Sequence, residues 1–530
     1  MTERDFAPGD RRAGNMGYWS HLAAIAGPER IALIDLSRAG EDFSGERVVR
    51  YGEIEARMDR VAALLSGAGL VPGDRLAISI GNRFEFVEVM YGAMRAGVVP
   101  VPLNTRLGAE VLGYILRDAD CRAAVIDPAA NPQMEGVVAA AGLGLRFALD
   151  RAPAGWQEYE AALMAAPAGF EPPQLAPDHP SFQPYTSGST GRPKGVVLTH
   201  AGQLWWIHAA ERHWPTDPAG RALVAVPLYH KNAMAGAIKP RLHVGGSVVI
   251  LPDFEPRRFL RTLAEYRITK AGAVPTVFSQ LLQHRDLIES LDFSALKAFS
   301  IGSASVTPEL MAEIRRLFGV RVTESYGLTE GGPVMIGQPV DGRPTPFGSC
   351  GTAWPEGEVK LIGADGQEGD FGELWVRNPG VTPGYHNLPK VNAERIVDGW
   401  LKTGDLFRRD AGGFYYFEGR TDDMFKCAGE SIHPKEVENL LMRHPGVADA
   451  CVVPVSWGDK GQAPVAMVML RAPGAADEAA LKAFCLAHGP AYAHPRHVVV
   501  TAAIPLNGAG KNDRTVVQRD LEARFGRGGG

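Results

Sequence analysis

At 530 residues the chain exceeds the length over which one hydrophobic core keeps growing, so two or more domains are expected. Hydrophobic residues at 45% and charged residues at 22% exclude a disordered or fibrous chain. The formal net charge of −5 offers no basic excess to neutralise a phosphate backbone, which argues against nucleic acid as a partner.

In chain order, the N-terminal MTERDFAPGDRRAGNMGYW is polar and of mixed charge, without the apolar stretch of a signal peptide. No run approaches the ~18 apolar residues of a membrane span, so a soluble, cytoplasmic protein is expected. From about 20 to 300, β-branched runs alternate with helix-like segments, as in RLAISIG at 75–81 followed by RFEFVEVMYGAMRAG at 83–97. AAVID at 123–127, ALVAVPL at 222–228, GSVVIL at 246–251 and AFSIGS at 298–303 continue the pattern. This predicts an α/β fold with mostly parallel sheets covered by helices on both faces.

Between about 335 and 418 the texture changes to short strands broken by Gly, Pro and Asp, which predicts an antiparallel, barrel-like subdomain. After FEGRTDD at 417–423 a separate small α+β segment begins, so the boundary is expected near Gly419 to Asp422, giving domains 1–419 and 420–530. The cysteines Cys121, Cys350, Cys427, Cys451 and Cys485 stand singly, without a CxxC pair, and no HExxH occurs, so neither a disulfide framework nor a zinc site is expected.

YTSGSTGRPKGVVLTH at 185–200 sets Thr186, Ser187, Gly188, Ser189, Thr190 and Gly191 before Lys194. Glycines let backbone N–H groups approach an anion, hydroxyls donate to phosphate oxygens and Lys194 adds a mobile positive charge. A Walker loop is excluded because Gly195 stands where Ser or Thr would bind magnesium. PLNGAGKNDR at 505–514 fails the same test, and the GxSxG elbow fails because Ser187 occupies its first Gly position. A serine amidase stays open on this loop alone.

The loop resembles the phosphate-binding signature of the adenylate-forming superfamily, which includes acyl- and aryl-CoA synthetases, peptide-synthetase adenylation domains and firefly luciferase. PLYHKNA at 227–233, GSASVTPEL at 302–310, ESYGLTE at 324–330, WLKTGDLFRRDAGGFYYFEGR at 400–420, TDDMFKCAGESIHPKEVE at 421–438 and PLNGAGKNDR follow in family order. The resemblance implies a large N-terminal domain of two parallel sheets plus a barrel, and a mobile C-terminal lid. It implies an AMP-forming carboxylic acid:CoA ligase using ATP, Mg²⁺ and coenzyme A, with a small-molecule acid as substrate. A homodimer is compatible with it.

By the same resemblance, Thr329 and Glu330 contact the α-phosphate and the magnesium ion, Glu330 being its ligand. Ser303, Ala304, Tyr326, Gly327, Asp405, Phe417 and Arg420 border the nucleotide, with Asp405 accepting from the ribose hydroxyls. Lys511 stabilises the charge that builds when a carboxylate attacks the α-phosphorus. Asp422 matches the hinge, and FKCAGES around Gly429 lines the pantetheine tunnel. Lys426, Cys427 and Ala428 replace the usual Ser and Gly there, and GSASV stands where relatives carry GGAPL.

The acid pocket maps onto His230, Trp206, Val274, Ser303, Ala304 and Ser325, with His230 as an aromatic gate. HKNAMAGAIKPRLHVGG is less usual, for Lys231 and Lys239 fall in a stretch that is apolar in many relatives. Two helical turns apart, they can share one face and pair with a polar or second carboxylate group on the substrate, or stand as solvated surface lysines. Loading of a carrier protein in place of CoA, and a nucleotide sensor without turnover, are the competing readings.

Overall fold

The β-branched runs become strands: Ala298–Ile301 stops at Gly302, and Ser247–Ile250 and Cys121–Ile126 end within two residues of Pro252 and Pro128. A computed structural model of the protein describes residues 6–187, 192–214, 216–302, 306, 308–427, 430–458, 461–491, 493–506 and 511–526. It divides into two compact units, the first formed by 1–345, 351–358 and 376–401, the second by 346–350, 359–375 and 402–530.

The first unit holds a seven-stranded sheet in the order Arg321–Glu324, Ala298–Ile301, Lys270–Ala273, Arg221–Val224, Ser247–Ile250, Ile31–Asp35 and Arg47–Arg50. All neighbours are parallel except the last pair. A five-stranded parallel sheet runs Val99–Pro102, Arg75–Ser79, Cys121–Ile126, Leu145–Ala148 and Gln157–Glu158. Strands such as Ser247–Ile250 are buried at every position, as expected where both faces are covered.

The helix Phe84–Arg95 is buried on every residue, so its whole circumference meets protein. Its core cluster draws Leu33 and Val248 from one sheet and Leu76, Ile78 and Val125 from the other. Arg95, at the end of this helix, is neutralised by Glu55 and Asp59 at 2.7 Å each, the pairing that makes a buried guanidinium tolerable.

Trp400–Arg409 and Tyr415–Arg420 form an antiparallel pair within a sheet that also includes Phe371–Arg377 and Glu358–Ile362. Farther along, Gln462–Leu470 pairs antiparallel with Val447–Ser456 and parallel with His497–Thr501. Alternate residues of Val447–Ser456 serve two cores. Ala450 and Val452 face Val437 and Leu441 of helix Pro434–Met442, while Cys451 and Val453 pack in the cluster of Val517 and Leu521 from helix Arg514–Phe525. All five cysteines are free thiols, and no described helix is long and apolar enough to cross a membrane.

Candidate active site

Tyr185–Ser187 pairs with Pro193–Gly195 in an antiparallel hairpin, setting Thr186 opposite Lys194. Gly188, Ser189, Thr190 and Gly191 at its tip lie outside the described residues, as does the side chain of Ser187. The hairpin is pinned from below. Tyr185 Oη donates to Asp118 Oδ2 at 2.6 Å, the His386 amide to the Gly195 carbonyl at 2.8 Å and Thr382 Oγ1 to the Val197 carbonyl at 2.6 Å. A Cβ on Gly195 would stand 2.8 Å from the Gln183 amide nitrogen and 2.9 Å from the Tyr185 ring, so a larger residue there would displace those two side chains. Thr199 then caps the helix His200–His213 by accepting from the Gly202 amide at 3.1 Å.

Glu330 sits in the turn between strands Tyr326–Leu328 and Gly332–Gly337. Its Oε1 accepts from Thr186 Oγ1 at 3.3 Å and from Tyr385 Oη at 3.1 Å, while its carbonyl takes the Thr382 amide at 2.6 Å. Lys194 Nζ stands 5.8 Å from the centre of the Tyr385 ring, within cation–π range. The structure thus gathers Thr186, Lys194 and Glu330 around Tyr385, with Thr329 in the same turn. Sequence reasoning missed Tyr385 and Thr382; the Gly/Pro-rich TPGYHN segment at 382–387 was the available signal.

The donor set here is carboxylate and hydroxyl oxygen, the hard chemistry that suits Mg²⁺. Among the described residues no three His, Cys, Asp or Glu side chains gather, so a divalent ion here would rest on Glu330 and the triphosphate's own oxygens.

In the second unit Asp405 and Arg420 are ladder partners, and Arg420 Nη1 donates to Asp405 Oδ1 at 2.9 Å. Arg420 also lies 3.8 Å from Asp422 Oδ2, and Phe417 packs edge-on to Phe407. Lys511 keeps solvent-accessible surface yet stands in a crowded setting that holds its ammonium below the usual lysine range. Asp405 pulls it back up and Arg420 pushes it further down, so its field is shared with both. Gly429 and the glycines of PLNGAG lie outside the described residues.

The remaining acid-pocket candidates follow a single geometric rule. His230, Val274 and Ser325 lie beyond the carboxyl ends of neighbouring parallel strands, after Arg221–Val224, Lys270–Ala273 and Arg321–Glu324 respectively. Ligands of open parallel sheets bind at that edge. Ser303 and Ala304, after Ala298–Ile301, lie outside the described residues. Glu324, at the same edge, is pushed up to about 7 by burial, partly opposed by a hydrogen bond from the Val306 amide.

Trp206 is fully buried on the helix His200–His213. Lys231 and Lys239 are 9% and 1% exposed, which corrects the reading of solvated surface lysines. The segment is helical, but Met234–Ile238 is a π-helical stretch between Lys231–Ala233 and Lys239–His243. Pro240 has no N–H to donate and its ring crowds the carbonyl of Gly236, which accounts for the widened turn. Burial pulls Lys239 down to about 7, and the field of Lys231 adds to the effect.

Parallel sheets with candidate pocket residues at their carboxyl edge, a pinned hairpin bearing Lys194 and the Glu330 carboxylate beside it agree with the adenylate-forming class of enzymes. The chain belongs to the family described as AMP-binding enzyme, whose profile matches residues 22–386, and the C-terminal domain profile of the same family matches 436–511. It is 34% identical over 493 residues to a feruloyl-CoA synthase from Amycolatopsis sp, covering 91% of this chain and 95% of that protein. A sulfoacetate–CoA ligase from Cupriavidus necator is 32% identical over 472 residues, covering 88% and 91%. ATP-bound MatB from Rhodopseudomonas palustris superposes with a TM-score of 0.86 at 27% identity, covering 97% of this chain and 99% of that one. The first two relatives are named for joining an acid to CoA, and a fatty acid–acyl-carrier-protein ligase from Streptomyces coeruleorubidus is 30% identical over 500 residues, covering 90% of this chain and 92% of that protein.

Proposed function

We propose that the protein condenses a carboxylic acid with ATP, releasing pyrophosphate, and then transfers the acyl group from acyl-AMP to the thiol of coenzyme A. The observation that carries the reading is the junction of Thr186, Lys194 and Glu330 at Tyr385. It brings a hydroxyl, a cation and a hard carboxylate together at one tyrosine, the set of groups that phosphoryl chemistry uses. Mg²⁺ is the proposed metal, held by Glu330.

Within that scheme Thr329 meets the α-phosphate and Tyr326 and Gly327 border the nucleotide. Asp405 takes the ribose hydroxyls, with Arg420 and Phe417 beside it, and Lys511 stabilises the charge of carboxylate attack. Asp422 is the proposed hinge of a C-terminal lid spanning 420–530. Turning at Asp422 lets Lys511 serve the first step and the stretch around Gly429 serve the thiol. His230, Trp206, Val274, Ser325, Ser303 and Ala304 are the proposed walls of the acid pocket.

The relatives' acids, feruloyl, sulfoacetate and fatty acyl among them, differ too widely to name this one. The test is pyrophosphate release over aliphatic, aromatic and dicarboxylic acids, with and without CoA. Release that needs ATP, Mg²⁺ and acid, followed by an acyl-CoA product, supports the reading. Acyl transfer to a carrier protein but not to CoA would replace the second step.

A further inference from the structure

A lysine ammonium removed from water costs several kcal/mol unless an anion meets it. Lys239 is 1% exposed, and no carboxylate among the described residues acts on it; the neighbouring charge it feels is that of Lys231, which is repulsive. Its Nζ donates to the neutral Gln203 Oε1 at 2.6 Å and stands 5.0 Å from the centre of the Phe182 ring. An ammonium has three donors, so one acceptor and one aromatic face leave part of its hydrogen-bonding capacity unmet.

The helix facing it repeats the deficit. Trp206 lies three residues beyond Gln203, on the same side of helix His200–His213, and its indole Nε1–H is fully buried without an acceptor among the described residues. Buried donors normally find partners, so an unpartnered indole N–H on the helix facing a partly satisfied ammonium calls for an acceptor that the described residues do not supply. The π-helical stretch bears on the same point. Its wider turns advance each residue through a smaller angle than α-helical turns, which swings Lys239 toward the side of Lys231, just after His230.

We propose that Lys239, supported by Gln203 and Trp206, is a subsite for a second oxyanion, so that the enzyme's acid carries a carboxylate or sulfonate at the end remote from the one it activates. This rests on the adenylation reading above. Lys239 and Trp206 are specificity residues in it, and Gln203 is a positioning residue that aims the ammonium.

The experiment measures kcat/KM for pyrophosphate release with matched pairs of α,ω-dicarboxylates and monocarboxylates from three to eight carbons, together with ω-hydroxy and ω-sulfo acids. Wild type is expected to prefer at least one dianionic acid over its matched monoanion by about tenfold or more, and Lys239→Met to erase that ratio. Equal use of dianionic and monoanionic acids by wild type, an ω-hydroxy acid used as well as the dianion, or an unchanged ratio in Lys239→Met overturns the proposal. Thermal melting and ATP binding establish that Lys239→Met is folded. If it is not, Trp206→Phe carries the test, since it keeps an aromatic side chain and removes the N–H: a reduced ratio supports the subsite and an unchanged one overturns it. No pyrophosphate with any acid is a different failure, that of the adenylation reading itself.

Discussion

Asp405 and Arg420 are paired twice, once through the backbones of adjacent antiparallel strands and again through a 2.9 Å bond from Arg420 Nη1 to Asp405 Oδ1. The carboxylate is buried and the guanidinium part-exposed, so the arginine fixes an acceptor that otherwise has a choice of rotamers. If that acceptor holds the ribose, Asp405→Asn should raise the KM for ATP by about tenfold with a smaller change in kcat. Steady-state pyrophosphate release with ATP varied checks this, and an unaltered KM would remove Asp405 from the nucleotide site.

Glu330 takes hydroxyl donors from Thr186 and Tyr385 on one oxygen, Oε1. Replacing it with Gln keeps the volume and removes the charge, and should lower kcat/KM by at least ~100-fold while raising the Mg²⁺ concentration needed. Tyr385→Phe deletes one hydrogen bond and leaves the ring beneath Lys194, so a loss of about 3- to 10-fold is expected. Magnesium titrations of both variants distinguish the two roles.

The burial of Lys239 makes stability depend on pH with a definite sign. Its ammonium titrates near 7 in the fold against 10.5 in an unfolded chain, so between those values the unfolded state holds the extra proton and wild-type stability rises with pH. Lys239→Met lacks this contribution. Its melting temperature relative to wild type should therefore be most favourable at or below pH 7 and should fall steadily as pH rises toward 10. A constant difference across that range would mean the lysine is solvated.

His200 gives the opposite limb. It is fully buried, burial lowers its pKa from 6.5 to about 3, and its Nδ1 accepts the Met16 amide at 2.9 Å, so the ring is neutral in the fold. As pH drops from 6.5 toward 3 the unfolded chain takes up the proton first and stability is lost. His200→Asn, which can retain an acceptor for Met16, should flatten that part of the urea-denaturation profile.

Much of the fold was legible because strand identity is local. Runs such as GSVVIL and AAVID carry enough β-branched apolar surface to mark buried parallel strands wherever they fall, and the structure puts strands Ser247–Ile250 and Cys121–Ile126 there. The Gly-, Ser- and Lys-bearing segment at 185–200 stood out in the sequence for a similar reason, since its residues lie close together in the chain. Tyr385 was not legible, because its meaning comes from Lys194 and Glu330, brought to it by the Val196–Tyr385 bridge and by the Thr382 amide on the Glu330 carbonyl. Nor was the burial of Lys239. Nothing in AIKPRL distinguishes a surface lysine from one enclosed by Gln203 and Phe182, because those neighbours come from distant segments. Pro240 was an available signal of a disturbed helix, one that the two-turn spacing of Lys231 and Lys239 leaves out of account.

The central claim, that Lys511 promotes carboxylate attack on a triphosphate gripped by the hairpin of Thr186 and Lys194, is tested most directly in a single turnover. Lys511→Ala should form acyl-adenylate at least ~100-fold more slowly than wild type, yet convert supplied acyl-AMP and CoA to thioester at a rate close to wild type. Acyl-adenylate formation at the wild-type rate in Lys511→Ala would contradict it.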